Sequence, residues 1–222
     1  MKNKVFYGLL QHRVCLVPTW RGLFLFMLLG IAFLVMAILN VQPFLALTEP
    51  VQAEVLVVEG WVPDYVLKQA AVEFERGRYS KLYVTGGPLE QGGALSEYKT
   101  FAELGAAILV KMGVNSSVVE AVPAPFVQRD RTYASALALK SRLLQPGTAL
   151  TGMNLMSVGV HARRSHLLFQ RAFKDVRVGI IAIEDRNYYT EHWWKFSDGV
   201  RTVMDELFAY IYALIVFPFV EP

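Results

Sequence analysis

The stretch Leu155–His166, LMSVGVHARRSH, passes from small and apolar residues straight into two histidines and two arginines. If a helix begins there at once, His161 and Arg164 share the face directed at the preceding strand end, while Arg163 and His166 form an outer, solvated pair. An imidazole titrates near neutrality, so His161 can carry a proton. A guanidinium can hold a carboxylate or phosphate through two parallel hydrogen bonds, which suits Arg164 to an anion. The same four residues also fit an ordinary exposed first turn. The spacing is not that of a zinc-binding HExxH helix and no cysteine is near, so no metal site is expected.

Three further stretches put polar residues where an apolar run stops. In EGW, Glu59 follows four apolar residues, and Gly60 permits a tight turn or a close backbone approach to a ligand. In TGGPLEQGGALSE, the pairs Gly86-Gly87 and Gly92-Gly93 make a loop whose amides can face an anion, with Ser96 and Glu97 at the next helix start. That loop has neither GxGxxG spacing nor a P-loop lysine, so it does not read as a dinucleotide or Walker motif. In QRDRTYASA, Asp130 or Thr132 can cap a helix, and Arg129 and Arg131 place cations where a helix dipole disfavours them. A shared anion would account for those cations. Each stretch taken alone also fits a cap or a surface turn.

Positioning these residues requires strands that end beside one another. The chain alternates apolar runs with helical patterns: EVLVVEG, then a helix over 64–76; KLYVTGG, then a helix over 95–112; SVVEAVPA, then a helix over 132–144. NLMSVGV, the helix opening at HARRSH, and VRVGIIAI complete the series. Such alternation predicts a Rossmann-like α/β domain, a doubly wound and mostly parallel sheet with helices on both faces and ligands at the strand ends. The cluster NYYTEHWWKF supplies aromatic residues suited to an interface or to closing a core.

Composition adds a membrane. Of 222 residues, 54% are hydrophobic, high for one soluble domain, and Gly22–Leu39 is an uncharged run long enough to cross a bilayer as one transmembrane helix. Residues 1–21 hold Lys2, Lys4, Arg13 and Arg21 and no acid, whereas no Lys or Arg follows the run until Lys68. The positive-inside rule then predicts a single-pass membrane protein, with a cytoplasmic basic tail and the main domain outside. Residues 40–52, with Pro43 and Pro50, read as a tether, and 53–222 as the extracytoplasmic domain. Within it, 198–220 reads as an apolar C-terminal helix that docks on the core or the outer leaflet rather than crossing. The globular part has 18 basic against 19 acidic residues, leaving nucleic acid without an electrostatic footprint. The single cysteine, Cys15, lies before the apolar run, so the outer domain forms no internal disulfide.

The order of VVEGW, TGG with a following SE, RTYASA and HARRS resembles the ElyC/SanA/YdcF family of bacterial envelope-associated proteins, over about Ala53 to Ile183. The H-x-x-R element is the most specific part of the likeness. The resemblance implies an anchored domain outside the inner membrane, a role in cell-envelope and peptidoglycan biogenesis, and polar pocket roles for Gly86, Gly87, Glu97, Thr132, His161 and Arg164. Two departures stand out: Glu59-Gly60 replaces a glycine-rich turn, and Ser135 stands where asparagine is usual, a shorter group that still donates and accepts.

Together these features lead to an expected site with His161 and Glu97 in proton-handling roles. Glu59, Gly60, Gly86, Gly87, Arg129, Thr132, Ser135 and Arg164 would hold a phosphate-containing, lipid-linked or nucleotide-like anion. Two other readings remain: a non-catalytic scaffold that recruits envelope-synthesis proteins, and a nucleotide or S-adenosylmethionine module resting on analogy of fold. Neither a cofactor nor turnover is specified by the residues.

Overall fold

The computed structural model describes residues 4–5, 10–11, 16–93, 95–143 and 150–217. The chain divides after Leu39 into two units. In the first, β1 (Lys4–Val5) pairs antiparallel with β2 (Leu10–Gln11), and α1 (Trp20–Leu45) begins. Among the described residues α1 is the one helix long and apolar enough to cross a membrane. Its side chains from Leu23 to Leu39 are largely exposed, with no protein core to cover them. The basic residues Lys2 and Arg13, and Cys15, lie outside the described residues.

The second unit starts within α1. The expected tether at 40–52 is helical as far as Leu45, which is fully buried, despite Pro43. Beyond it, Glu49 pairs antiparallel with Ile180 and the Val51 amide donates to Asn154. The segment therefore belongs to the globular unit and covers an edge of its sheet.

That sheet has five parallel strands: β3 (Val55–Glu59), β4 (Lys81–Gly86), β5 (Val119–Pro123), β6 (Gly152–Val158) and β7 (Arg177–Ile183), in the order β5-β4-β3-β6-β7. Central β3 is buried throughout, which is why its sequence reads as a continuous apolar run instead of alternating. Successive residues still face opposite layers. Val55 and Val57 join the layer of α4 (Arg131–Leu143), α5 (Ala162–Ala172) and α6 (Ser197–Ile215). Leu56 and Val58 join that of α2 (Asp64–Arg76) and α3 (Phe101–Lys111). The doubly wound α/β architecture expected from the alternation is the one observed.

α2 spans the expected residues. α4 begins one residue early, and Leu144 lies outside the described residues. α3 begins at Phe101, not at Leu95, because its N-terminal signal is a capping box: the Glu103 amide donates to Thr100 Oγ1 (3.2 Å) and the Thr100 amide to Glu103 Oε2 (2.9 Å). Replacing Thr100 with alanine is expected to lower unfolding free energy by about 1 kcal/mol, readable by denaturant titration of the full chain in detergent. Gly60 and Gly86 matter for the same helix start. A Cβ on Gly60 would lie 2.3 Å from the carbonyl oxygen of Phe101, and one on Gly86 would lie 2.7 Å from the Phe101 Cβ.

α6 packs against α5, and the buried residues of α6 are Gly199, Val203 and Ala213, with Gly199 close against the backbone of Trp193. Residues 218–220 of the expected C-terminal helix lie outside the described residues. In the aromatic cluster, Tyr188 and Trp193 are buried, so those two close the core instead of forming an interface, while Tyr189 is exposed. The outer pair expected on α5 is also engaged. Arg163 donates to the Phe44 carbonyl and covers its ring at 4.0 Å, and His166 Nε2 lies 2.7 Å from the Val178 carbonyl. Both are half-buried, not solvated, because the last turn of α1 and β7 pack over that side of α5.

Candidate functional site

The chain moves from β3 to β4 on one side and from β6 to β7 on the other, so the loops after β3 and β6 diverge. Such a switch point opens a crevice at the carboxyl ends of the strands. A cleft of about 720 Å³ lies there. The ends of β3 and β4, the first turn of α4, the turn after β6, and α6 all line it.

At its floor is a buried ionic cluster. Glu59, the last residue of β3, is 2% exposed. Its carboxylate accepts from the hydroxyls of Ser157 and Ser165, the latter at 3.0 Å. Gly159, at φ +46°, turns the chain out of β6 into a single 3-10 turn, Gly159–His161. That turn presents His161 between two acids. Its Nδ1 is 2.7 Å from Glu206 Oε1, and its Nε2 is 3.6 Å from Glu59 Oε1, beyond hydrogen-bond reach but strongly attracted. Arg164 clamps Glu206 through Nε (2.9 Å) and Nη2 (3.0 Å). Its Nη2 also lies 2.9 Å from His161 Nδ1, so with the imidazole protonated Glu206 Oε1 accepts from both cations. Trp61 packs edge-on to the imidazole at 4.7 Å between ring centroids.

Burial opposes every charge in this cluster, and mutual attraction outweighs it. For His161, desolvation is overcome by Glu59 and Glu206, which raise its pKa to about 9. For Glu206, desolvation is overcome by His161 and then Arg164, which bring it down to about 2. Burial likewise raises Glu59, but His161 and the two serines hold it below the ordinary carboxylate range. His161 is therefore an imidazolium at neutral pH and a proton donor, not the neutral base that an unperturbed histidine would supply. The four charges cancel, so the cluster has no net attraction for an anion.

Dipoles and the rim carry the remaining polarity of the cleft. Thr132 and Ser135, both buried, line the cleft from the start of α4, where the helix dipole is positive. Asp130 precedes them at φ 58°, a left-handed conformation uncommon outside glycine. Arg129 is 69% exposed and 3.7 Å from Asp130, and Arg131 pairs with Glu90. Two buried polar atoms of the lining, Thr85 Oγ1 and His161 Nε2, have no hydrogen-bond partner among the described residues. Thr85, on β4, is the register partner of Glu59, and His161 reaches the same carboxylate from the turn after β6.

Of the residues expected from the sequence, Glu59, Gly86, Gly87, Arg129, Thr132, Ser135, His161 and Arg164 all line this one cleft. Glu97 does not. It is exposed on the loop before α3, since the helix that would have carried it inward starts four residues later. Gly60 is not in the lining either, and its close approach is to the backbone of Phe101. Glu206, which no local pattern linked to His161, takes the place given to Glu97. Its one sequence signal is an acid at the border of an apolar helical run. Compared with models of known protein families and with curated proteins, the chain matches none.

Proposed function

We propose that the protein is a membrane-anchored component of the bacterial cell envelope, of the ElyC/SanA/YdcF type. Its outer domain binds or processes a phosphate-containing, lipid-linked ligand in the cleft at the strand ends. The observation that carries this reading is a pair of buried polar atoms lining the cleft together with the start of α4 and without a hydrogen bond among the described residues: Thr85 Oγ1, and His161 Nε2, which faces Glu59 only across 3.6 Å. A phosphate oxygen accepts from an imidazolium N–H, a hydroxyl and helix amides at once, so one ligand group would satisfy groups whose isolation is costly.

In this scheme His161 donates a hydrogen bond to the ligand and, if a leaving oxygen forms, the proton it requires. Arg164 shares Glu206 with His161 and is available to a second oxygen. Glu206 is a positioning residue that fixes the ring and keeps it charged. The run of basic residues before α1, with none soon after it, supports an outer location for the cleft.

The full chain in detergent should bind inorganic pyrophosphate and a polyprenyl pyrophosphate by calorimetry, the lipid more tightly. His161→Ala and Arg164→Ala should each weaken both by about tenfold or more, the effect of one lost charged hydrogen bond. Equal binding in wild type and variants would sink the reading. Phosphate release from the lipid would separate processing from binding.

A further inference from the structure

The cleft is larger than the group assigned to its floor. Its volume of about 720 Å³ lies within the ordinary range of small-molecule sites and exceeds what a phosphate alone fills, so it suits a ligand of which phosphate is one part. The lining shows what the other part is. Two aromatic side chains, Trp61 and Phe126, belong to it and stay exposed, by 40% and 74%. An open tryptophan is the informative one, because indole is highly buried on average.

Trp61 does not complete the core. It stands in the turn after β3, where the Gly60 amide donates to the Thr85 carbonyl (2.6 Å) and the Val62 amide to the Glu59 carbonyl (3.3 Å). Val62 is buried in the layer of α2 and α3, whereas Trp61 lines the cleft. With its neighbours tied on both sides, the indole is placed before any ligand arrives. Its ring centroid is 4.7 Å from that of His161. His161 Nε2 is one of the donors assigned to the phosphate, so a group esterified to that phosphate lies within reach of Trp61.

We propose that Trp61 reads that group and that the group is a sugar ring, so that the ligand is a glycosyl phosphate. The proposal rests on the reading that the floor of the cleft holds a phosphate. A pyranose has a C–H face that packs on an aromatic surface and an edge of hydroxyls that both donate and accept. The cleft offers partners for both: the indole beside the floor, and Glu90, Gln128, Asp130 and Arg131 in the same lining. An alkyl chain joined at that point would match the indole but none of the polar groups, whereas a sugar engages both. A lipid-linked ligand of this class carries the sugar on one side of its phosphate and the lipid on the other.

The test measures, by calorimetry on the full chain in detergent, binding of glucosyl, mannosyl and N-acetylglucosaminyl phosphates beside inorganic phosphate, glycerol phosphate and uridine monophosphate. At least one glycosyl phosphate is expected to bind about tenfold tighter than inorganic phosphate and glycerol phosphate, the gain of one aromatic contact. In Trp61→Leu that ratio should fall to near one, and in Trp61→Tyr, which keeps an aromatic face, most of it should remain. The ratio does not depend on the fraction of a variant that folds. Glycosyl phosphates bound no better than glycerol phosphate overturn the inference, and phosphate binding that is lost in His161→Ala then leaves the phosphate site standing. Uridine monophosphate bound tighter than every glycosyl phosphate overturns it in favour of a base. An unchanged ratio in Trp61→Leu also overturns it, since the indole would then only shield His161 from water. Failure of the wild type to bind any of the phosphates removes the phosphate site and the inference together.

Discussion

Replacing Glu59 with leucine is expected to cost about 3–5 kcal/mol of stability at neutral pH, the loss typical when one partner of a buried ion pair is removed. Three buried groups depend on that carboxylate. The hydroxyls of Ser157 and Ser165, each 0% exposed, lose their acceptor, and His161 loses the nearer charge at Nε2. Glu59→Gln divides the effect. Its amide oxygen still accepts from a serine, but the charge is gone, so stability should fall by less while the His161 pKa drops clearly. Denaturant unfolding of both variants in detergent gives the comparison. A leucine variant within about 1 kcal/mol of wild type would mean that the cluster does not rely on Glu59.

The gathering of strand-end residues in one cleft and the absence of Glu97 from it have one physical origin. Strands buried on both faces must be apolar along their length, so the residue at which each run stops is visible in the sequence, and in a parallel sheet those stops gather at one edge. Glu59, Thr132, His161 and Arg164 were legible for that reason. The helix after β4 was misplaced because Ser96 and Thr100 both offer a cap, and only Thr100 has an acid three residues on that returns the hydrogen bond. Those residues of extra loop carried Glu97 out to solvent. Glu206 is 45 residues from His161 and joins it only because α6 folds back over α5, a tertiary event that no local spacing records. Arg163 and His166 were misread for a similar reason, since their partners Phe44 and Val178 come from distant elements.

Changing Glu206 to glutamine is expected to alter the pH dependence of the site on both its acid and its alkaline side. In the wild type, the His161 pKa is raised from 6.5 to about 9. The stability this contributes is fully present below 6.5 and is lost as pH rises through 9. The Glu206 pKa is lowered from 4.5 to about 2. Its contribution is fully present above 4.5 and is lost as pH falls through 2. Both contributions are complete only between these limits, so with respect to this pair the unfolding temperature should be flat from pH 4.5 to 6.5 and decline on either side. Glutamine removes the acid-side decline that belongs to Glu206. It leaves Glu59 as the one carboxylate beside His161, so the imidazolium should release its proton nearer neutrality and the alkaline decline should begin sooner. Ligand binding should follow the same shift, because a neutral ring that keeps its proton on Nδ1 for the glutamine oxygen no longer donates from Nε2. A titration of the His161 ring followed by NMR, together with pyrophosphate binding at several pH values, measures both. An unchanged titration would show that Glu206 does not hold the charge on His161. A shifted titration with unshifted binding would show that the ligand does not depend on that proton.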